Sequence, residues 1–311
     1  MTPTFTDEPL EHLIQTLKVQ LGTLAAGERV TFYALDPDRG AGLFAGEVTE
    51  IGGVRYRHRP LRVWLELAER LGCRLHTPER DAASGGVLLK LGMSKLEGAS
   101  WHGEGDGGGQ RVSESYGHDS EFARVQKLEE PTFRYDYAET LQRVNLKPHS
   151  RVLSLGVGRG DELLPLSGYS HSFVGIDHSA SALDAARERF PGENYRFIQA
   201  DLGELGGLEL GRFDLVVSIA TFQSPGVQGH TLIREVVQHQ LTESGCLILA
   251  LPNCRYRDGE VRYGAKMKNF TQPELSLVVK DLAFYRKYVQ QHRFRVFITG
   301  KYYLFLTAVR F

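Results

Sequence analysis

Arg151 to Glu162 reads RVLSLGVGRGDE. Apolar residues at 152, 153 and 155 predict a short buried strand, and Gly156-Val157-Gly158-Arg159-Gly160 predicts a sharp turn into a helix beginning near Asp161. Glycine serves two ends in such a turn: it takes φ > 0 without steric cost, and it lets backbone N–H groups come close to a ligand. The loop is of a nucleotide-binding kind. A dinucleotide fingerprint demands G-x-G-x-x-G, but counting from Gly156 puts Asp161 where the third glycine should stand. The spacing is instead G-x-G-x-G.

Working outward, Ser172 to Ile176 (SFVGI) predicts a second strand that ends at Asp177, where a carboxylate can accept hydrogen bonds from both hydroxyls of a ribose. Dehydrogenases share that logic. Tyr195 to Ala200 predicts a third strand ending before Asp201, Arg212 to Ala220 a fourth and Gly245 to Leu251 a fifth. Phe294 to Thr299 and Tyr302 to Val309 predict a closing hairpin across Gly300-Lys301.

This ordered set resembles the class I S-adenosylmethionine-dependent methyltransferases over about residues 130 to 311. The resemblance implies an α/β fold, a doubly wound, Rossmann-like seven-stranded sheet with a C-terminal antiparallel hairpin. It also implies S-adenosyl-L-methionine as cofactor. By the same resemblance Gly156, Gly158 and Gly160, flanked by Leu155 and Val157, would lie under the methionine part of the donor. Asp177 with His178 would hold the ribose, Asp201 and Leu202 the adenine edge, and Ala220 would complete the cofactor set. The family usually has an acidic residue two before the first glycine, where this chain has Ser154. Either Asp161 or Glu162 would then neutralise the donor's amino group, or donor binding would be weak.

The chain of 311 residues is long enough for two cores, and its 41% hydrophobic and 24% charged fractions are those of an ordinary globular protein. No charged-then-apolar leader and no bilayer-length apolar run is present, so membrane association is not expected. Cys73, Cys246 and Cys254 are few, odd in number and without C-x-x-C spacing, which predicts a reducing, cytoplasmic setting and no zinc.

The predicted organisation is a small α+β domain over residues 1–97, a glycine-rich linker over 98–112 and the donor-binding domain over 113–311. In the first, Leu10, Leu13, Ile14, Leu17, Leu21 and Leu24 recur at helical spacing; strands are predicted over 29–35, 43–51, 54–57 and 87–91, and a second helix from Pro60 to Gly72. The unit carries no catalytic motif, which suits substrate positioning or association; a homo-oligomer is left open. In the linker, His102, Glu104 and Asp106 are metal-ligand types, but ordering so glycine-rich a segment costs entropy, and no metal is predicted. Before the first central strand, Pro131 to Leu146 predicts a helix that in the family covers the donor, and His118 stands ahead of it as a candidate base.

Loop Thr221 to Gly229 and the segment Pro252 to Arg257 follow strand ends, where ligands enter α/β sheets. Asn253, Arg255 and Tyr256, with Lys266 and behind it Lys268 and Asn269, are therefore the candidate substrate contacts. Residues 254–311 hold twelve Lys or Arg against four Asp or Glu and twelve of the 31 aromatics, leaving 25 against 34 charges for residues 1–253. That pattern favours an RNA acceptor over a small molecule, and equally fits aromatics filling the sheet beneath a solvated helix face. Methyl transfer needs no nucleophilic residue, and none is assigned. Two other functions remain open: a catalytically inactive donor-binding protein on this fold, motivated by Ser154, and a nicotinamide-dependent oxidoreductase.

Overall fold

The computed structural model describes residues 2–97, 124–257, 259–264 and 275–311, except that the side chain of Arg257 is not described. The chain divides into two compact units, 1–100 with 256–262, and 101–255 with 263–311.

In the first unit, helix α1 (Leu10–Gly22) buries Leu13, Leu17 and Leu21, one residue per turn, while Leu10 at its entrance stays exposed. Strand β1 (Arg29–Leu35) follows, then the hairpin β2 (Val48–Ile51) and β3 (Val54–Arg57), joined by Gly52 and Gly53, both at positive φ as a two-residue turn requires. The strand expected from residue 43 begins only at 48. Gly42 and Gly46, at φ 87° and 97°, keep the intervening run in turns. Helix α2 (Leu61–Arg70) buries Trp64, Leu67 and Ala68; the short strands β4 (Cys73–Leu75) and β5 (Glu79–Arg80) lead to β6 (Leu88–Lys95). Strand β6 is the hub, pairing antiparallel with β1, β4 and β5. Phe32 on β1 centres the core, its ring 5.5 Å from both Phe5 and Trp64.

Among the described residues of the second unit, the short turn Lys127–Glu129 leads into helix α3 (Pro131–Val144). Proline at its first position loses no hydrogen bond, and Phe133, Tyr137, Thr140 and Val144 form its buried face. Strands β7 (Arg151–Leu155), β8 (Ser172–Asp177), β9 (Tyr195–Gln199), β10 (Phe213–Ile219) and β11 (Leu241–Pro252) make the parallel part of the sheet. Helix α4 (Ala180–Arg189) starts at Ser179, whose Oγ accepts the Ala182 N–H at 3.3 Å. The helix expected at Asp161 is instead a 3-10 helix, Asp161–Leu166, because Pro165 removes the donor that an α-turn would need. Helix α5 (Gly229–Glu235) continues as a wider π-turn, Val236–Gln240.

Beyond β11 a hairpin absent from the sequence reading appears, β12 (Cys254–Arg257) with β13 (Glu260–Tyr263). Its residues 256–262 belong to the first unit. There Glu260 pairs with Arg74 at 2.8 Å, and buried Arg262 donates to the Cys73 carbonyl at 2.7 Å. Helix α6 (Ser276–Gln291) then leads to β14 (Phe294–Thr299) and β15 (Tyr303–Arg310), which close the large sheet antiparallel.

The resulting order is β14-β15-β11-β10-β7-β8-β9. It reverses direction between β7 and β10, and ligands of open α/β sheets bind in the crevice beyond the carboxyl ends of the two strands at such a point. Val152, Leu153 and Leu155 on β7 and Leu215, Val216 and Val217 on β10 are all buried, as parallel strands covered on both faces must be. No helix among the described residues is long and apolar enough to cross a membrane.

Candidate active site

The glycine turn occupies the tip of β7 at that reversal. Gly156, Gly158 and Gly160 have φ of 70°, 52° and 80°. Their surroundings differ. A Cβ on Gly156 would fall 2.1 Å from Thr221 Oγ1 and one on Gly160 2.6 Å from the Phe190 ring, whereas one on Gly158 would meet nothing within 4 Å. The first and third glycines therefore let the turn pack down, and the second leaves its outer surface bare.

The turn's N–H groups are not presented to a ligand as expected. Gly156 and Val157 both donate to the Ile176 carbonyl (2.8 and 3.0 Å), Gly160 donates to Val157 (2.8 Å) and Gly158 to Asp177 Oδ2 (2.8 Å). A cradle of free N–H dipoles would attract anions; this turn instead offers a bare backbone at Gly158 flanked by carboxylates.

Asp177, almost fully buried at the end of β8, supplies one of these. Its Oδ2 accepts the Gly158 N–H and its Oδ1 the Ser179 N–H at 2.9 Å, with the half-exposed His178 ring 3.3 Å from Oδ1. One side chain thus clamps the turn to the start of α4. A carboxylate has roughly four acceptor sites, so two remain for hydroxyl groups. Asp201 is exposed after β9, its Oδ1 accepting the Gly203 N–H at 2.7 Å, and Leu202 beside it is half-buried. Ala220, just after β10, has φ 63°, a conformation unfavourable for any residue with a Cβ, held by its N–H bond to the Ala250 carbonyl at 2.8 Å.

The second carboxylate lies beneath the turn. Ser154, fully buried on β7, donates through Oγ to Glu162 Oε1 at 2.5 Å, and Glu162 is itself only 6% exposed. Burial pushes the Glu162 carboxyl up to about 7, against the smaller opposing pull of the Ser154 hydrogen bond. Asp161, the alternative, is committed to Arg159 at 3.3 Å and Arg189 at 2.5 Å. From α3, the buried Tyr137 hydroxyl donates to the Glu162 carbonyl at 2.9 Å. Burial, foremost, raises that phenol well above its usual range. Tyr137 and Thr221 fall in segments the sequence singles out, the helix from Pro131 and the loop from Thr221, but neither was assigned a role as a single residue, because each works through its position on a neighbouring element.

The candidate substrate residues separate. Asn253 is buried at the end of β11; its N–H donates to the Tyr302 carbonyl (2.8 Å), its Nδ2 to Lys301 (3.0 Å), and its own carbonyl accepts from Gly264 (2.7 Å). Arg255 donates to Gly264 at 3.3 Å, and Tyr256 is grouped with the first unit. Burial raises the Cys254 thiol to about 12, so it is no thiolate nucleophile. Lys266, Lys268, Asn269, His118 and the linker's His102, Glu104 and Asp106 lie outside the described residues. Among the described residues no three His, Cys, Asp or Glu are grouped as a metal site. A surface hollow of about 440 Å³ at the amino end of β10 includes Glu209, Arg212 and His239, far along the sheet from the turn. There Arg212 bonds the Leu241 and Gln238 carbonyls, a structural use.

A methyltransferase-domain family profile matches residues 152–241. Trans-aconitate 2-methyltransferase of Paracidovorax citrulli is 33% identical over 140 residues, 44% of this chain and 52% of the relative. The same enzyme of Rhizobium etli is 34% identical over 117 residues, 37% of this chain and 43% of the relative. The chain thus spans about half the length of the curated relatives it matches. Among solved structures, a chain of the complex between the Haloferax volcanii Trm112 methyltransferase activator and a putative methyltransferase aligns with a TM-score of 0.46 at 16% identity, covering 64% of this chain and 96% of that one. Strand order and glycine turn define a Rossmann-like methyltransferase fold. With the profile match over residues 152–241, the second unit is similar to class I S-adenosylmethionine-dependent methyltransferases.

Proposed function

We propose that the chain transfers a methyl group from S-adenosylmethionine to a small-molecule acceptor. The observation that carries the reading is the glycine turn at the sheet's reversal, bare at Gly158 and flanked by the Asp177 and Glu162 carboxylates. These groups suit a cationic nucleoside. The donor supplies a methyl on a positively charged sulfur, so the protein's task is to align the acceptor with that carbon and exclude water. In this reading Asp177 accepts from the ribose hydroxyls with its two remaining sites, Asp201 and Leu202 border the adenine, and Gly158 admits the chain of the amino acid. Helix α3 reaches the segment after the turn through Tyr137, whose hydroxyl donates to the Glu162 carbonyl, while Phe133 packs on Tyr303 and Phe305 of β15. No side chain is assigned as general base.

Two observations support a small acceptor. Several cations of the C-terminal region lie over the protein's own rings: Arg310 is 4.1 Å from the Phe294 centroid, Arg295 5.0 Å from Phe297 and Lys301 4.5 Å from Tyr302. Both curated relatives are also named for a small carboxylic acid. The basic, aromatic composition of residues 254–311 keeps RNA as the second reading. The test is methyl transfer from labelled donor to a panel of small carboxylic acids including trans-aconitate, run beside total RNA. Label in the acids supports the proposal, and label in RNA alone overturns it.

A further inference from the structure

We propose that Glu162 is the seat of the donor's ammonium group, and that the donor on binding takes the place of a proton on that carboxylate. The inference rests on the methyltransferase reading and goes beyond it by assigning a positioning residue outside the glycine turn.

The geometry is specific. Glu162 follows the turn in sequence, yet its side chain folds back beneath it, since Oε1 receives the hydroxyl of Ser154, two residues before Gly156. Besides the Ser154 hydroxyl the carboxylate receives its own backbone N–H, both pulls being smaller than burial, and the rest of its acceptor capacity is open to a donor of hydrogen bonds. The charged and titratable groups around it come from three elements. On its own 3-10 helix is Asp161, of like sign and already paired with Arg159 and Arg189; Lys127, in the short turn before α3, contributes a favourable but smaller effect than burial; and from α3 the Tyr137 hydroxyl is spent on the Glu162 carbonyl. Among the described residues no cation lies within ion-pair distance of Glu162.

A buried carboxylate in that state is costly when ionised, and the protein answers by holding a proton on it near neutrality. An alkylammonium arriving at the same place reverses the balance: the carboxylate ionises, its proton leaves to solvent, and a buried ion pair forms with Ser154 as its third member. The bland alternative is a buried carboxylic acid that only packs. It predicts no proton release and no preference among ligands that differ at the amino-acid end.

The test is titration calorimetry of the full chain with S-adenosylhomocysteine and with 5′-methylthioadenosine, which keeps the nucleoside and sulfur but lacks the amino acid. It is run from pH 5.5 to 7.5 in two buffers of different ionisation enthalpy. At pH 7 S-adenosylhomocysteine should release about half a proton, and its affinity should fall by up to tenfold per pH unit below 7. Methylthioadenosine should release none and bind equally at each pH. Glu162→Gln should weaken S-adenosylhomocysteine by about 10- to 100-fold at pH 7.5 and abolish the proton release, with methylthioadenosine unaffected. Should the variant fail to fold, proton release by the natural chain decides alone. Tight binding of S-adenosylhomocysteine without proton release, or equal weakening of both ligands by Glu162→Gln, overturns the inference and leaves the methyltransferase reading standing. Binding of neither ligand overturns both.

Discussion

At the scale of single residues, Glu162 is a stability liability, and the sign of its effect can be worked out. Its carboxyl titrates near 7 in the folded chain against 4.5 as the ordinary value, so between these the folded state holds the extra proton. Its stabilising influence is complete below pH 4.5 and is lost as pH rises through 7, a swing of about 3 kcal/mol at most. Glu162→Gln should therefore raise unfolding stability by about 1–3 kcal/mol at pH 8 and barely change it at pH 4.5. Urea unfolding at the two pH values checks this; equal effects at both would mean that the carboxyl is not perturbed. Asp177 has the opposite character. Asp177→Ala orphans the N–H groups of Gly158 and Ser179 and should cost about 2–4 kcal/mol, seen as a fall in Tm, together with weaker S-adenosylhomocysteine binding. Asp177 was legible in the sequence because it ends an apolar strand at a telling distance from the turn. Glu162 was only half legible: an acid just after a glycine turn looks like a solvated first-turn residue, and its fold-back onto Ser154 depends on the 3-10 path that Pro165 imposes.

At the scale of elements, the three turn glycines make separable predictions. Gly156→Ala drives a methyl into Thr221 at a φ that L residues avoid and should compromise folding, with Tm lowered by several degrees or more. Gly158→Ala has space for its methyl and only the backbone cost of about 1–2 kcal/mol, so the chain should fold. The added methyl stands on the bare surface, however, and S-adenosylhomocysteine affinity should fall by about tenfold or more. Measuring Tm and affinity on both variants distinguishes the cases, and a Gly158→Ala chain that binds normally would place the donor elsewhere. The strands of the large sheet could be read because parallel strands covered on both faces are near-continuous apolar runs. Strand β4 escaped because it is three residues long, and the hairpin β12–β13 because CRYRDGEVRY interleaves cations and aromatics as an exposed loop would. The same segment's Asn253 looks like a ligand contact in sequence, yet much of its hydrogen-bonding capacity ties β11 to Tyr302, Lys301 and Gly264.

At the scale of the whole molecule, the charge asymmetry between residues 1–253 and 254–311 raised the choice of acceptor without deciding it. Composition records how many cations there are; only the fold records that Arg295, Lys301 and Arg310 lie over the protein's own rings. A small acceptor predicts that any RNA binding is weak and that methyl transfer persists between 50 and 200 mM salt, whereas phosphate-driven binding would lose about 10³-fold or more over that range if six or more phosphates were contacted. The return of residues 256–262 to the first unit, through Arg74–Glu260 and Arg262–Cys73, likewise needed the fold to be seen. The most direct test of the central claim is equilibrium binding of S-adenosylhomocysteine to the full chain, followed by calorimetry and by thermal shift. One saturable site is expected, with a stabilisation of about 2.7 kcal/mol at a hundredfold excess over Kd. No heat and no shift with S-adenosylhomocysteine, or stabilisation by NAD(H) in its place, would contradict it.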